Sequence, residues 1–141
     1  MIRKFSQNDT DRIMQIWLDG NIEAHAFVPR DYWKSNILAV REQLLLAEIY
    51  VYEMNEMIQG FVGMQGDYLA GIFVDSDVRS MGIGKKLLDY IKSIHPAFSL
   101  HVYQKNERAV AFYRREGFVV SSEDLEKDTG NMEYTMIWQA I

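Results

Sequence analysis

The chain has 141 residues, of which 48% are hydrophobic and 25% charged, and its formal net charge is −5. This length predicts one domain over residues 1–141, and the composition is globular rather than disordered. The acidic balance argues against nucleic-acid binding, no apolar run approaches the ~20 residues of a membrane span, and zero cysteines exclude disulfides and a cysteine nucleophile. We expect a cytoplasmic protein without nucleic-acid, membrane or metal partners.

Hydrophobic periodicity and turn residues predict seven strands and four helices. In chain order these are a strand at 2–5, a helix from the capping-box pattern Ser6-x-x-Asp9 to about Gly20, a helix at 31–47, strands at 49–53, 58–64 and 69–74, a helix opened by a glycine turn, a strand at 98–103, a helix at 106–116, and strands at 118–121 and 133–138. This order predicts a mixed α/β fold in which about four helices cover a central sheet of about seven strands.

The stretch 78–86, Val-Arg-Ser-Met-Gly-Ile-Gly-Lys-Lys, lies between a buried strand and an amphipathic helix. Free amides and the helix dipole make such a helix start an anion site, and Gly82 and Gly84 let the backbone approach a ligand closely. The P-loop pattern fails because Lys86 stands where Ser or Thr is required, and the dinucleotide fingerprint fails because its third glycine falls at Leu87. Taken alone, the turn is equally compatible with an ordinary connection from strand to helix.

Two motifs occur in order along the chain. The first, Arg79-Ser-Met-Gly82-Ile-Gly84, lies within the glycine turn at 78–86. The second runs over residues 100–118 and contains Asn-x-x-Ala at 106–109, Phe-Tyr at 112–113 and Gly-Phe at 117–118. Together they resemble the pyrophosphate loop and the later signature of the GNAT superfamily of acyl-CoA N-acetyltransferases. Segments 24–27, 32–33 and 102–106 look most like small bacterial members that acetylate protein lysines.

The resemblance implies acetyl-CoA as cosubstrate. The backbone of strand 69–74 would pair with the pantetheine amides as an added strand does, and this strand and the strand at 98–103 would splay apart to admit the pantetheine arm. Asn106 would hydrogen-bond the pantetheine, although it could equally be the N-cap of its helix. The implied cofactor-binding residues are Ile72, Phe73, Val74, Arg79, Ser80, Met81, Gly82, Ile83, Gly84, Lys85 and Asn106.

The resemblance also implies direct attack of an amine on the thioester, which requires a neutral amine. A free lysine amine titrates near ~10.4, so only about one molecule in 2,500 is neutral at pH 7. The sequence singles out no base: the candidates are Glu23, Glu53, Asp67, Asp75 and His101, with proton loss through water also open. Tyr113 matches the family tyrosine that meets the departing sulfur, and we predict it as the catalytic residue, with core packing as the alternative.

For the acceptor, the resemblance points to the residues Tyr68, His25, Phe27, Tyr32 and Trp33, and to the loop at 121–131. We therefore predict an acetyl-CoA-dependent N-acetyltransferase that acts on a primary amine, either a protein lysine or an N-terminal amine. A small-molecule amine acetyltransferase and a non-catalytic acyl-CoA-binding module are the alternatives. The sequence carries no signal for an oligomeric state.

Overall fold

A computed structural model describes residues 1–141 as seven strands and five helices. The strands are β1 (Ile2–Lys4), β2 (Glu48–Met54), β3 (Met57–Gln65), β4 (Tyr68–Val74), β5 (Ala97–Tyr103), β6 (Val119–Glu126) and β7 (Asn131–Gln139). The helices are α1 (Thr10–Ala24), α2 (Arg30–Ser35), α3 (Ile37–Leu44), α4 (Ile83–Ile94) and α5 (Glu107–Arg115). Two short 3-10 segments, Gln7–Asp9 and Ser76–Met81, precede α1 and α4.

All strands join one sheet in the order β1-β2-β3-β4-β5-β7-β6. Every neighbouring pair is antiparallel except β4 and β5, which are parallel. A parallel pair needs a crossover connection, and α4 supplies it. The mixed α/β fold predicted from the sequence is confirmed. None of the five helices has the length and apolar character needed to cross a bilayer.

Side chains on the two faces of the sheet form two apolar cores. The first core packs α4 and α5 against the sheet, and its fully buried members include Leu87, Leu88 and Ile91. The second core packs α1, α2 and α3 against the opposite face, around residues such as Ile13 and Trp17. The sheet is therefore covered by helices on both faces, and each covered face supplies one side of the site described below.

The first predicted helix boundary is wrong, because α1 continues through Gly20 to Ala24. A Cβ atom at Gly20 would lie 3.3 Å from Cδ1 of Phe73 on β4. The glycine therefore makes room for an aromatic ring of the sheet rather than ending the helix, and packing outweighs its low helix propensity.

The single helix predicted at 31–47 is two helices, which raises the count from about four to five. The break falls at Asn36, whose side-chain amide donates to the Tyr32 carbonyl at 2.7 Å. Asparagine competes for backbone groups in this way, and the apolar pattern on either side conceals the interruption.

The final hairpin is longer than predicted, since β6 runs to Glu126 and only residues 127–130 lie between the strands. Residues 119–126 read Val-Val-Ser-Ser-Glu-Asp-Leu-Glu, and most of them are exposed. This is an edge strand held by β7 alone, and its register shifts between Val120 and Ser122. Polar edge strands lack the apolar alternation on which the prediction relied.

Gly60 on β3 tests how closely the sheet packs beneath α4. A Cβ there would lie 2.9 Å from the Phe73 carbonyl oxygen and 3.2 Å from Cγ2 of Ile83. We expect Gly60→Ala to lower the free energy of unfolding by about 1–3 kcal/mol, because backbone must shift to admit the methyl group. Urea titration gives this value. In the control Gly63→Ala the nearest atom is 3.8 Å away, so a change below about 1 kcal/mol is expected; equal losses in both variants would contradict this account.

Candidate active site

Strands β4 and β5 pair over only two positions and then diverge. Tyr68 pairs with Ser99 and Leu69 with Leu100, and no later residue of β4 has a partner on β5. On its other edge β4 stays paired with β3 as far as Val74. The backbone of residues 70–74 is consequently open on the side that faces β5. We call this wedge the β4–β5 opening, and its narrow end lies at Leu69 and Leu100.

A bulge marks the narrow end of the opening. Gly71 pairs with Gly63 and Leu69 with Met64, which leaves Ala70 as an extra residue on β4. A bulge bends its strand and re-aims the side chains around it. Ile72 and Val74 accordingly pack on the first core, as Leu69 does, whereas Phe73 stacks on Phe61 of the second core at 5.3 Å between ring centres.

At its wide end the opening faces the start of α4. Gly82 caps this helix in the left-handed conformation with φ of 74°. The first amide with a carbonyl partner in this turn is that of Lys86, which bonds the Gly82 carbonyl at 3.1 Å, so the amides of residues 83–85 lie free at the helix start. A Cβ at Gly82 would meet no atom within 4 Å, and one at Gly84 would come no nearer than 3.8 Å to Val74. Backbone donors and empty space therefore coincide here, as an anion cradle requires.

Two side chains predicted to bind the anion, those of Arg79 and Lys85, already form ion pairs with carboxylates of the protein. Arg79 reaches across to α1 and pairs with Glu23 at 2.8 Å. Lys85 pairs with Asp89 at 3.2 Å and with Glu116 at 3.1 Å. Ser80 and Met81 end the 3-10 segment with exposed side chains, and the Ile83 side chain is buried in the first core. These contacts leave the backbone amides, rather than the cationic side chains, as the free donors of the cradle.

Tyr113 on α5 lies in the first core with 9% of its surface exposed. Its ring packs edge-on against Phe112 and Phe118, with centres 5.3 Å apart in each case. Burial, and secondarily the neighbouring Tyr68, raise the pKa of the Tyr113 hydroxyl above its usual value. The hydroxyl is therefore protonated throughout the physiological pH range. Tyr113 is also a neighbour of Tyr68, at the narrow end of the opening.

Asn106 joins α5 to the opposite side of the site. Its Oδ1 accepts from the Ala109 amide at 3.3 Å and so caps α5, which confirms the cap that the sequence left open. Its Nδ2 lies 3.2 Å from Nε2 of His25. Since an amide nitrogen carries two hydrogens, this contact leaves one donor for another partner.

His25 sits among aromatic rings rather than at an open surface. It stacks on Trp33 at 5.2 Å and meets Tyr103 edge-on at 5.1 Å. Burial lowers the pKa of His25 to about 4, so the ring is neutral near pH 7. Since Nε2 faces the Asn106 amide, the ring proton belongs on Nδ1, which is buried without a hydrogen-bond partner.

The other predicted acceptor residues divide between core and surface. Trp33 is buried and packs edge-on against Trp17, so its indole belongs to the second core. Phe27 and Tyr32 are half-buried, and the Tyr32 hydroxyl lies 3.4 Å from Asp128 in the last hairpin. Tyr103 was not predicted from the sequence, and its hydroxyl donates to Glu126 at 2.9 Å. Its position within the motif segment 102–106 was the available signal.

Tyr68 lies in the paired part of β4 and β5 and contacts His101, one of the candidate bases, which in turn lies close to the unpredicted Glu133. Its hydroxyl is 3.3 Å from Nδ1 of His101 on β5, and that nitrogen is 3.8 Å from Oε1 of Glu133 on β7. Burial is the main cause that raises the pKa of Tyr68 and of Glu133. Sequence reasoning could not join these three residues, because strand register alone brings β4, β5 and β7 together here.

Three of the carboxylates considered as bases are held by arginines. Glu23 pairs with Arg79 at 2.8 Å, Glu53 with Arg3 at 2.9 Å, and Asp75 with Arg12 at 2.7 Å. The hydrogen bond from Arg79 lowers the pKa of Glu23, and the Asp77 amide, followed by Arg12, lowers the pKa of Asp75. Asp67 is exposed just before β4. No group of three or more His, Asp or Glu side chains is arranged to hold a metal ion.

Comparison with known proteins agrees with this geometry. A family model described as an acetyltransferase (GNAT) domain matches residues 46–120. The chain is 34% identical to the peptidyl-lysine N-acetyltransferase YiaC of Escherichia coli (strain K12), over 100% of this chain and 98% of that protein. It is 30% identical to the peptidyl-lysine N-acetyltransferase YjaB of the same strain, over 92% and 88%. The solution structure of apo-form YjaB from Escherichia coli has a TM-score of 0.87 at 25% identity, covering 100% of this chain and 98% of that one.

The chain therefore belongs to the GNAT family of acetyltransferases. It is an acetyl-CoA-dependent N-acetyltransferase that transfers an acetyl group to an amine, as the sequence predicted.

The buried, neutral state of His25 gives a pH dependence of stability. An unfolded histidine titrates near ~6.5, whereas His25 in the folded protein titrates at about 4, so the unfolded chain binds more protons between these values. The contribution of His25 to the free energy of unfolding is fully present above about pH 6.5 and is lost as the pH falls through about 4. We expect the unfolding free energy of the wild type to fall relative to that of His25→Gln between about pH 7 and 4.5, measured by urea titration. A difference that stays constant over this range would contradict the buried neutral ring.

Proposed function

We propose that the protein acetylates lysine side chains of proteins or peptides, with acetyl-CoA bound along the β4–β5 opening and Tyr113 as the catalytic acid. One observation carries the proposal: β4 presents an unpaired edge to β5 directly beside a helix start with free amides. An edge of this kind binds an extended amide-containing chain as an added strand, and a helix start binds phosphate. Pantetheine diphosphate has these two groups in sequence.

The fit to the donor rests mainly on backbone groups. The open edge includes Ile72, Phe73 and Val74, whose amides and carbonyls would pair with the two amides of the pantetheine arm. The diphosphate would accept hydrogen bonds from the amides of residues 83–85, and Gly82 and Gly84 leave the space for it. Asn106 keeps one amide hydrogen for the same arm. Bound acetyl-CoA supplies the activated thioester.

Tyr113 supports the proposed proton transfer by its position and its protonation. Its hydroxyl makes no hydrogen bond within the protein, and Tyr113 neighbours Tyr68 at the narrow end of the opening. Because burial keeps the phenol protonated, it can give a proton to the departing sulfur once the two are in contact. The chain has no cysteine, which fits direct attack of the amine on the thioester.

The acceptor side has the chemistry of a site for a lysine ammonium. Carboxylates line the last hairpin, and half-buried aromatic rings face it; the residues are Asp124, Glu126, Asp128, Glu133, Phe27, Tyr32 and Tyr103. The chain's own Lys105 already lies 5.5 Å from the centre of the Phe27 ring, so this surface accommodates an alkylammonium. The relatives named peptidyl-lysine N-acetyltransferases support the same acceptor class.

The cradle is tested by Gly84→Asp. The site has space for a Cβ, so the variant folds, but its carboxylate takes the place of the diphosphate and repels it. We expect acetyl-CoA to raise the melting temperature of the wild type and to leave that of the variant unchanged. Ser93→Asp, an exposed change of the same charge near the other end of α4, should keep the wild-type shift. A normal shift with Gly84→Asp would remove this turn from the cofactor site.

The role of Tyr113 as the catalytic acid is tested by Tyr113→Phe, which removes only the hydroxyl. We expect kcat for release of CoA with an amino-blocked lysine peptide to fall by about 10²-fold or more, with an unchanged melting-temperature shift on adding acetyl-CoA. The control Tyr90→Phe, on α4 beside Tyr50, should retain wild-type kcat. Full turnover by Tyr113→Phe would exclude the acid role.

Mass spectrometry of the peptide tests the acceptor: acetylation of free small amines without acetylation of any lysine peptide would overturn the proposed acceptor class.

A further inference from the structure

We propose that His101 is the base that takes the proton from the acceptor ammonium, with Tyr68 and Glu133 as the residues that hold its ring. The proposal deepens the proposed function and rests on it. It stands on geometry: three side chains from three adjacent strands meet at the narrow end of the β4–β5 opening. Each lies on the face of the sheet that carries α1, α2 and α3, where the acceptor surface is.

The register of the sheet places His101 beside the reacting centre. His101 follows Leu100, which forms the last pair with β4, so it is the first residue of β5 at the opening. Its neighbours Leu100 and Val102 point into the first core, and His101 therefore points to the opposite face. The side chain is 47% exposed, which gives the ring a route for exchanging protons with solvent.

Both positioning contacts involve the same ring nitrogen. Tyr68 Oη and Glu133 Oε1 lie 3.3 Å and 3.8 Å from Nδ1, whereas Nε2 makes no hydrogen bond within the protein. A proton on Nδ1, held by these oxygens, leaves the lone pair of Nε2 free to accept another. The resulting imidazolium is then stabilised by the Glu133 carboxylate, as in other sites where a carboxylate orients a basic histidine.

The ionisable groups around this ring are a tyrosine and several carboxylates. Tyr68 of β4 and Glu133 of β7 face it directly, and Asp124 and Glu126 of β6 lie beyond Glu133. By contrast, the carboxylates of Glu23, Glu53 and Asp75 are each held by an arginine. Asp67 precedes the paired positions of β4 and β5, so His101 is the candidate base that has a free accepting atom and lies at the opening.

The proton balance of the reaction is complete with two protein groups. The acceptor ammonium gives one proton to Nε2 of His101, which passes it to solvent. The neutral amine attacks the thioester carbonyl, a C–N bond forms, and the C–S bond breaks with its electron pair leaving on sulfur. The nitrogen loses its second surplus proton to Nε2 of His101, which is neutral again and passes this proton to solvent as well. The sulfur takes the proton of the Tyr113 hydroxyl, which is restored by one proton from solvent. The products are an amide, a thiol and one proton in solvent.

The test is the pH profile of kcat/KM for an amino-blocked lysine peptide. With a histidine base the wild-type profile levels off once the imidazole is neutral. For His101→Gln we expect a loss of about 10²-fold at pH 7 and a profile that keeps rising by about tenfold per pH unit to beyond pH 9, because free amine must then form in solution. Glu133→Gln should lower kcat/KM at pH 7 and leave the melting-temperature shift with acetyl-CoA unchanged, since the His101 ring loses one of the two oxygens that hold Nδ1.

His95→Gln is the matched control, because His95 also pairs with a glutamate, Glu48, but on the far side of the sheet from the acceptor surface. It should retain the wild-type profile. A wild-type profile for His101→Gln would overturn the proposal, as would a loss by the same factor at every pH, which marks a structural role. Failure of the proposed function has a different signature, in which the wild type itself releases no CoA with any lysine peptide although acetyl-CoA still raises its melting temperature.

Discussion

The site depends on the fact that β5 cannot follow β4 beyond two paired positions. Along its other edge β5 is paired with β7 from Ala97 to Tyr103, and β4 is paired with β3 from Tyr68 to Val74 except at the bulged Ala70. Each strand thus has more paired positions on its other edge than the two between β4 and β5. The bulge at Ala70 bends β4 away from β5. The unpaired amides and carbonyls of residues 70–74 must then be satisfied by water or by a ligand with matching groups. A binding edge is therefore built into the middle of the sheet without exposing an end strand.

The two helical layers contribute different chemistry to this opening. The layer of α4 and α5 supplies the free amides of residues 83–85 and the buried phenol of Tyr113, so the proposed donor side lies on this face. The other layer supplies His25 and the rings around it. Asn106 connects the two, because a single amide caps α5 and contacts His25.

How far the sequence predicts this architecture depends on whether a feature is local. Strand and helix order, the glycine turn and the cap at Asn106 follow from periodicity and from residues that are neighbours in the chain. The break at Asn36, the passage of α1 through Gly20 and the length of β6 do not, because each is decided by contacts with distant elements. The family resemblance predicted Tyr113 and the cradle as parts of the site. It could not identify the pairing of Tyr68 with His101, since that contact exists only through sheet register.

The acceptor side must meet two opposing demands. Carboxylates attract a lysine ammonium but also stabilise its charge, whereas attack requires the neutral amine, which at pH 7 costs about 4.6 kcal/mol. The structure separates these demands along the last hairpin. Asp124 and Asp128 are exposed near its tip, where they can attract the substrate without burying a charge. Glu133 lies nearer the narrow end of the opening, where burial already raises its pKa and where the surrounding groups are Tyr68 and His101. In the proposed site, a lysine moving inward would leave a surface that favours its charge for a more buried one, and its proton loss would be easiest next to the proposed position of the thioester.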